Sequence, residues 1–178
     1  VNGNVTTTNA TVDVTTTCVT ATNLNTWSKQ GPSSAGSWSV ASDGSSVLQT
    51  INGLPTFYVS PNDFINGSIE GSFSVETSSD DDFAGFVFGY NGPFGATGTN
   101  YDFLLFDWKQ GNQGGSSGCG YAYKGYTLSR VQGTYTSSST ASCDLWGHVG
   151  SNVTVLASNY TTGWSDNTLY AFKLEYTA

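Results

Sequence analysis

Three adjacent carboxylates, Asp80-Asp81-Asp82, are the residues in this chain whose type and spacing most suggest chemistry. Like charges in a row repel, so such a run is either left in solvent or held together by a cation. Calcium takes about six to eight oxygen ligands, which carboxylates on a turn beside backbone carbonyls can supply. On an extended backbone Asp80 and Asp82 point to one side and Asp81 to the other. One ion can therefore collect all three only if the segment turns, and a solvated acidic turn stands beside a calcium turn as the alternative. The cluster runs into Phe83-Ala84-Gly85-Phe86-Val87-Phe88-Gly89-Tyr90, which carries no charge and stops at Asn91-Gly92-Pro93. That run reads as a strand buried on both faces, with an acidic mouth at its entry.

Other constellations carry less. Glycoside hydrolysis needs two carboxylates roughly 5–10 Å apart. Glu70 and Glu76 share a strand face, but six residues of strand separate them by about 20 Å. Gly114-Gly115-Ser116-Ser117-Gly118 has the spelling of a nucleophile elbow, yet that motif needs a helix after it, and none is legible. His148, the single histidine, cannot assemble a zinc site of three or four ligands and reads as a surface or loop residue. The chain does not read as an enzyme. Aromatic rings can stack on sugars, and Trp164, Tyr121 and Tyr123 are candidates for that role, with core or hairpin packing as the bland alternative.

Composition narrows the setting. Charged residues make up 10% of the 178, against the roughly 25% usual in soluble domains. Ser, Thr, Asn and Gly take their place. Thirteen acids against five bases give −8 and a pI near 4.1, so a nucleic-acid partner would be repelled. No apolar run approaches the roughly 18 residues of a membrane span. The absence of Met and a start at Val1 without a signal peptide point to a processed, secreted protein. Of the three cysteines, Cys119 and Cys143 are the expected disulfide. Cys18 is then free or intermolecular, unless it takes one of the others. Asn4, Asn9, Asn66, Asn152 and Asn159 begin glycosylation sequons.

Residues 1–26 hold ten threonines and one charge, Asp13, with no aromatic before Trp27. Val5, Val12, Val14 and Val19 among threonines favour an extended backbone but cannot make a core. This segment is expected to be a flexible or glycosylated stalk, or an arm that adds a strand to a sheet. Residues 27–178 are expected to form one all-β domain. Trp38–Val40, Val47–Ile51, Thr56–Val59, Ile69–Glu76, Tyr101–Trp108, Tyr121–Tyr123, Tyr126–Val131, Val153–Ala157 and Leu169–Tyr176 read as strands between Gly, Asn and Pro turns. No helical period is legible. Many short strands of this kind make a sandwich or jelly roll.

Three motifs together resemble the C-terminal globular domain of the thrombospondins and its bacterial relatives. They are Asp80–Tyr90 preceded by Gly71-Ser72-Phe73-Ser74-Val75, then Tyr101–Gln110 ending in Trp-Lys-Gln, then Gly163-Trp164. The resemblance covers about residues 38–178 and implies a lectin-like jelly-roll β-sandwich that is extracellular, non-catalytic, adhesive and often calcium-bound. In the family the pattern runs on for several strands beyond the one matching Leu169–Tyr176. The expectation is an open sheet edge, which invites strand addition. The 1–26 arm of another copy is the candidate donor, in head-to-tail contacts that build filaments and that Cys18 could lock. A calcium- or carbohydrate-binding adhesion module of a larger surface protein, meeting glycans or matrix ligands, is the alternative.

Overall fold

The structure is a computed structural model and describes residues 21–92, 100–115, 119–135 and 137–177. Asn4, Asn9, Cys18 and most of the threonine-rich arm lie outside them. A 3-10 turn, Leu24–Thr26, comes first, followed by β1 (Ser28–Gln30), β2 (Trp38–Val40), β3 (Val47–Gln49), β4 (Phe57–Val59), β5 (Gly67–Phe73) and β6 (Phe83–Asn91). Next are β7 (Asn100–Lys109), β8 (Gln113–Gly114), β9 (Tyr121–Ala122), β10 (Gly125–Thr134), α1 (Ser138–Gly147), β11 (Val153–Asn159) and β12 (Tyr170–Tyr176). The architecture is the expected all-β sandwich, with one helix added.

The centre is a four-stranded antiparallel sheet ordered β11-β10-β7-β6. The hydrophobic run at 83–90 therefore forms an edge strand among the described residues rather than the middle of the sheet, and it is half-buried instead of sealed on both faces. The middle belongs to β7 and β10, paired over ten residues from Gly125↔Lys109 to Thr134↔Asn100. Side chains alternate across a strand, and β7 shows this cleanly. Tyr101, Phe103, Leu105, Asp107 and Lys109 are buried, while Leu104, Phe106 and Trp108 on the other face are only half-buried.

The buried face of the sheet meets α1. Tyr101, Phe103, Leu105, Val131 and Val153 pack with Tyr135, Ala141 and Leu145. The helix escaped sequence reading because Ser138-Ser139-Thr140-Ala141-Ser142-Cys143 is poor in helix formers. Tertiary anchors hold it instead. Ser137 caps its N-terminus by accepting from the Thr140 amide at 3.1 Å, Ala141 and Leu145 are buried, and a disulfide ties Cys143 to Cys119 as expected. His148 ends it in a left-handed conformation, φ 49°.

The opposite face is covered by the two-stranded β5–β12 sheet. Its register, Tyr170↔Phe73 through Tyr176↔Gly67, aims Phe73, Tyr170 and Phe172 at the central sheet. Phe172 meets Phe86 with ring centroids 4.6 Å apart, and Tyr170 meets Trp108 at 4.8 Å. Gly71 leaves the space that the Phe172 ring fills, since a Cβ there would lie 2.8 Å from it. The Leu24–Thr26 turn is anchored to the body, because Leu24 donates its amide to the Gly44 carbonyl at 2.9 Å and accepts from the Tyr58 hydroxyl at 3.2 Å.

Candidate functional site

The three acidic residues sit on the turn that enters β6, and ligand atoms of Asp80, Asp81 and Asp82 lie within 4.8 Å of one another. The segment does turn, as a shared site requires: Asp80 Oδ1 accepts from the Asp82 amide at 3.2 Å. Opposite them stands Lys109, which the ladder pairs with Phe83. Its inward parity on β7 buries it completely. Nζ donates to the Asp81 carbonyl at 2.9 Å and to Gln113 Oε1 at 2.8 Å. It also lies 3.4 Å from Asp81 Oδ1 and 3.3 Å from Asp82 Oδ1. The rings of Phe83 and Trp146 flank the charge at 5.4 and 4.7 Å, a favourable setting for a desolvated cation. Burial, then the charge of Asp80, pushes the Asp82 carboxyl above its ordinary value, and Lys109 opposes both.

The turn carbonyls are engaged as well. Asp82 O accepts from Trp164 Nε1 at 3.0 Å, and Asp81 O also accepts from the Gln110 amide at 3.3 Å. Gln110 Nε2 reaches Asp166 Oδ1 at 3.0 Å, and Trp108 Nε1 donates to Thr162 O at 2.8 Å. Gly163 lies directly on the Gln110 carbonyl, where a side chain would collide. The acidic triplet, the Trp-Lys-Gln end of β7 and the Gly-Trp loop are thus three sides of one polar joint.

The carboxylates match a divalent cation in charge and ligand class. The inner position is taken by an ammonium and both carbonyls are spoken for, so the residues as arranged do not fit a buried calcium ion. Trp164 is corrected as a sugar-stacking residue: it is 3% exposed, because its ring closes the joint. Tyr121 and Tyr123 are exposed, their rings 4.9 Å apart, and Tyr160 continues the row 5.1 Å from Tyr123. Tyr160, just past the polar Ser158-Asn159 end of β11, was not among the sequence candidates. Glu70 pairs with Lys173 at 3.4 Å across the β5–β12 ladder. His148, expected at the surface or in a loop, sits in the loop that ends α1, but its side chain turns inward, 8% exposed, with Nε2 3.0 Å from both oxygens of Asp107. Burial pushes the Asp107 carboxyl up and His148 opposes it. Of the described sequons, Asn66 and Asn159 are exposed, while half-buried Asn152 donates to Thr134 O at 3.0 Å.

A lectin-like β-sandwich whose joint is built from these three motifs defines the class. The profile of the family described as the thrombospondin C-terminal region matches residues 33–178, and the chain belongs to that family. Thrombospondin-2 of Gallus gallus is 31% identical over 144 residues, which cover 77% of this chain and 12% of that protein. The cartilage oligomeric matrix protein of Rattus norvegicus is 30% identical over 145 residues, 78% of this chain and 18% of that protein. Thrombospondin-4 of Bos taurus is 37% identical over 76 residues, 43% of this chain and 7% of that protein. The chain spans less than a fifth of the length of these relatives.

Proposed function

We propose that this chain is a non-catalytic, secreted adhesive module that assembles by accepting the threonine-rich arm of a neighbouring copy as an added strand. The observation that carries this reading is the part of the sheet that no described residue covers. Beside β12 lies a cavity of about 660 Å³ whose walls include Phe88, Leu104, Phe106, Leu128 and Leu174. Among the described residues β12 has only β5 as a hydrogen-bonded neighbour, so its other edge offers backbone donors and acceptors beside an apolar floor. That is the arrangement strand addition uses.

The arm suits the groove by sequence. Val12, Val14, Thr16 and Cys18 stand two apart, so an extended strand would turn them to one face. Asp13 is the single charge in the segment. Such a contact is head-to-tail and does not close, so it builds filaments, and Cys18 could make the joint covalent. An extracellular setting is supported by the disulfide and by a relative whose name places it in cartilage matrix. Light scattering on the full chain under non-reducing conditions tests the reading. Mass should rise with concentration, and deletion of residues 1–20 should leave a monomer. A full chain that stays monomeric at every concentration removes the idea.

A second reading, recognition of neutral glycans or glycosylated matrix ligands, is favoured by the exposed row Tyr121, Tyr123 and Tyr160. Aromatic faces beside hydroxyls and amides are the usual materials of a saccharide site. Titration with neutral oligosaccharides should give binding that Tyr123→Ala removes, and a titration without heat counts against it.

A further inference from the structure

We propose that the Lys109 ammonium is the resident cation of the Asp80–Asp82 turn, a tethered substitute for a metal ion, so that this end of the sandwich folds and holds without calcium. The inference is independent of the strand-addition reading. Its first support is the coordination. A lysine offers three N–H donors and no acceptor. Two are used on the short contacts, to the Asp81 carbonyl at 2.9 Å and Gln113 Oε1 at 2.8 Å. The third is shared between Asp81 Oδ1 at 3.4 Å and Asp82 Oδ1 at 3.3 Å. Four oxygens and the faces of two aromatic rings surround the fully buried charge.

Placement is the second support. Lys109 ends β7 and stands in register with Phe83, the residue that follows the acidic triplet. Ladder register, rather than a loop, delivers the ammonium to the carboxylates. The third support is what a metal would have to displace. Calcium needs oxygens at about 2.3–2.6 Å. Reaching the inner oxygens would drive the ammonium against Phe83 and Trp146, unpaired and out of water, which is strongly unfavourable.

The test uses the full chain, melted in millimolar calcium and in excess chelator, with calorimetric titration of calcium. Wild type should melt at the same temperature in both and give no binding heat. Lys109→Met should melt about 10 °C lower in chelator, and calcium should restore part of the loss, because three carboxylates then face one another uncompensated. The proposal is overturned by a wild type that calcium stabilises through a shift that Asp80→Asn abolishes. It is equally overturned by a Lys109→Met variant that melts with wild type or ignores calcium. Should that variant not fold, nitrogen-detected NMR of the wild-type lysines decides. One slowly exchanging ammonium signal, unchanged by calcium or chelator, supports the assignment; no such signal, or one that calcium displaces, sinks it.

Discussion

Phe103 and Phe106 are three residues apart on the same strand and live in different surroundings. Phe103 is 2% exposed under α1, with edge contacts to Phe57 and Tyr101. Phe106 lies half-buried in the wall of an open cavity, stacked on Tyr126 at 5.8 Å. One face of the sheet is closed by a helix, a disulfide and a buried lysine. The other is closed by two strands over part of its area. The helix-side face is buried almost throughout, whereas the strand-side face borders a cavity built from the same residue types. Composition does not separate them. What separates them is whether a covering element exists among the described residues, and function is sought on the open face and stability on the closed one.

The largest effect that tests this contrast is truncation of the two phenylalanines. Phe103→Ala should cost about 3–5 kcal/mol, as core phenylalanine truncations do. Phe106→Ala should cost less, because its ring is only half-buried beside an open cavity. Urea melts of the two variants supply the comparison. Equal losses would mean that the open face is as well packed as the closed one, and the contrast would fail.

Much of this was legible before the structure. Alternation placed Ile69, Gly71 and Phe73 on one face of β5, and the Asn, Gly and Pro turns separated nearly every strand. The acidic triplet, Trp-Lys-Gln and Gly-Trp were visible as motifs, but that they are one joint was not. Lys109 and Asp81 are 28 residues apart, Trp164 and Asp82 are 82 apart, and long-range pairing leaves no local period. The helix was missed because disulfide and burial override the poor propensity of Ser138–Cys143. His148 reads as a surface or loop residue and does lie in the loop that ends α1. Its partner on a strand 41 residues away is not legible, because a lone histidine in a Gly-rich stretch gives no sign of one. The 83–90 run reads as buried on both faces, yet among the described residues it is a half-buried edge strand, because an apolar composition does not report which strands lie beside it.

Gly163→Ala probes the joint without touching a charge. The added methyl would strike the Gln110 carbonyl, and overpacking of this kind costs about 1–3 kcal/mol. The loss should come with weakened protection of the Trp164 indole proton, read by hydrogen exchange. A variant with wild-type stability and protection would show that the Gly-Trp loop can move away from β7. On the open face the expected stability effect is smaller and the functional effect larger. Leu104→Lys should change stability by under about 1 kcal/mol, since the stem can lie on the apolar wall while the ammonium reaches water. Yet it should abolish concentration-dependent assembly in light scattering. Assembly that survives this charge would move the docking site off the cavity.

The smallest effect is a slope. Burial holds the Asp107 carboxyl above its ordinary value of 3.8, against the pull of His148. A carboxyl with a raised folded-state value binds its proton more tightly in the folded protein than in the unfolded chain. Its contribution to stability is therefore full below the unfolded value and is lost as pH rises through the folded one. Asp82, also raised, adds a slope of the same sign. Asp102, lowered by its bond to Arg130, adds one of the opposite sign. Comparing Asp107→Asn with wild type cancels those two and leaves the Asp107 term. The melting temperature of the variant should gain on wild type as pH climbs above about 3.8. A difference that stays flat with pH would mean that water reaches Asp107. The helix-side face would then not be sealed, and the two sides of β7 would be more alike than their burial makes them.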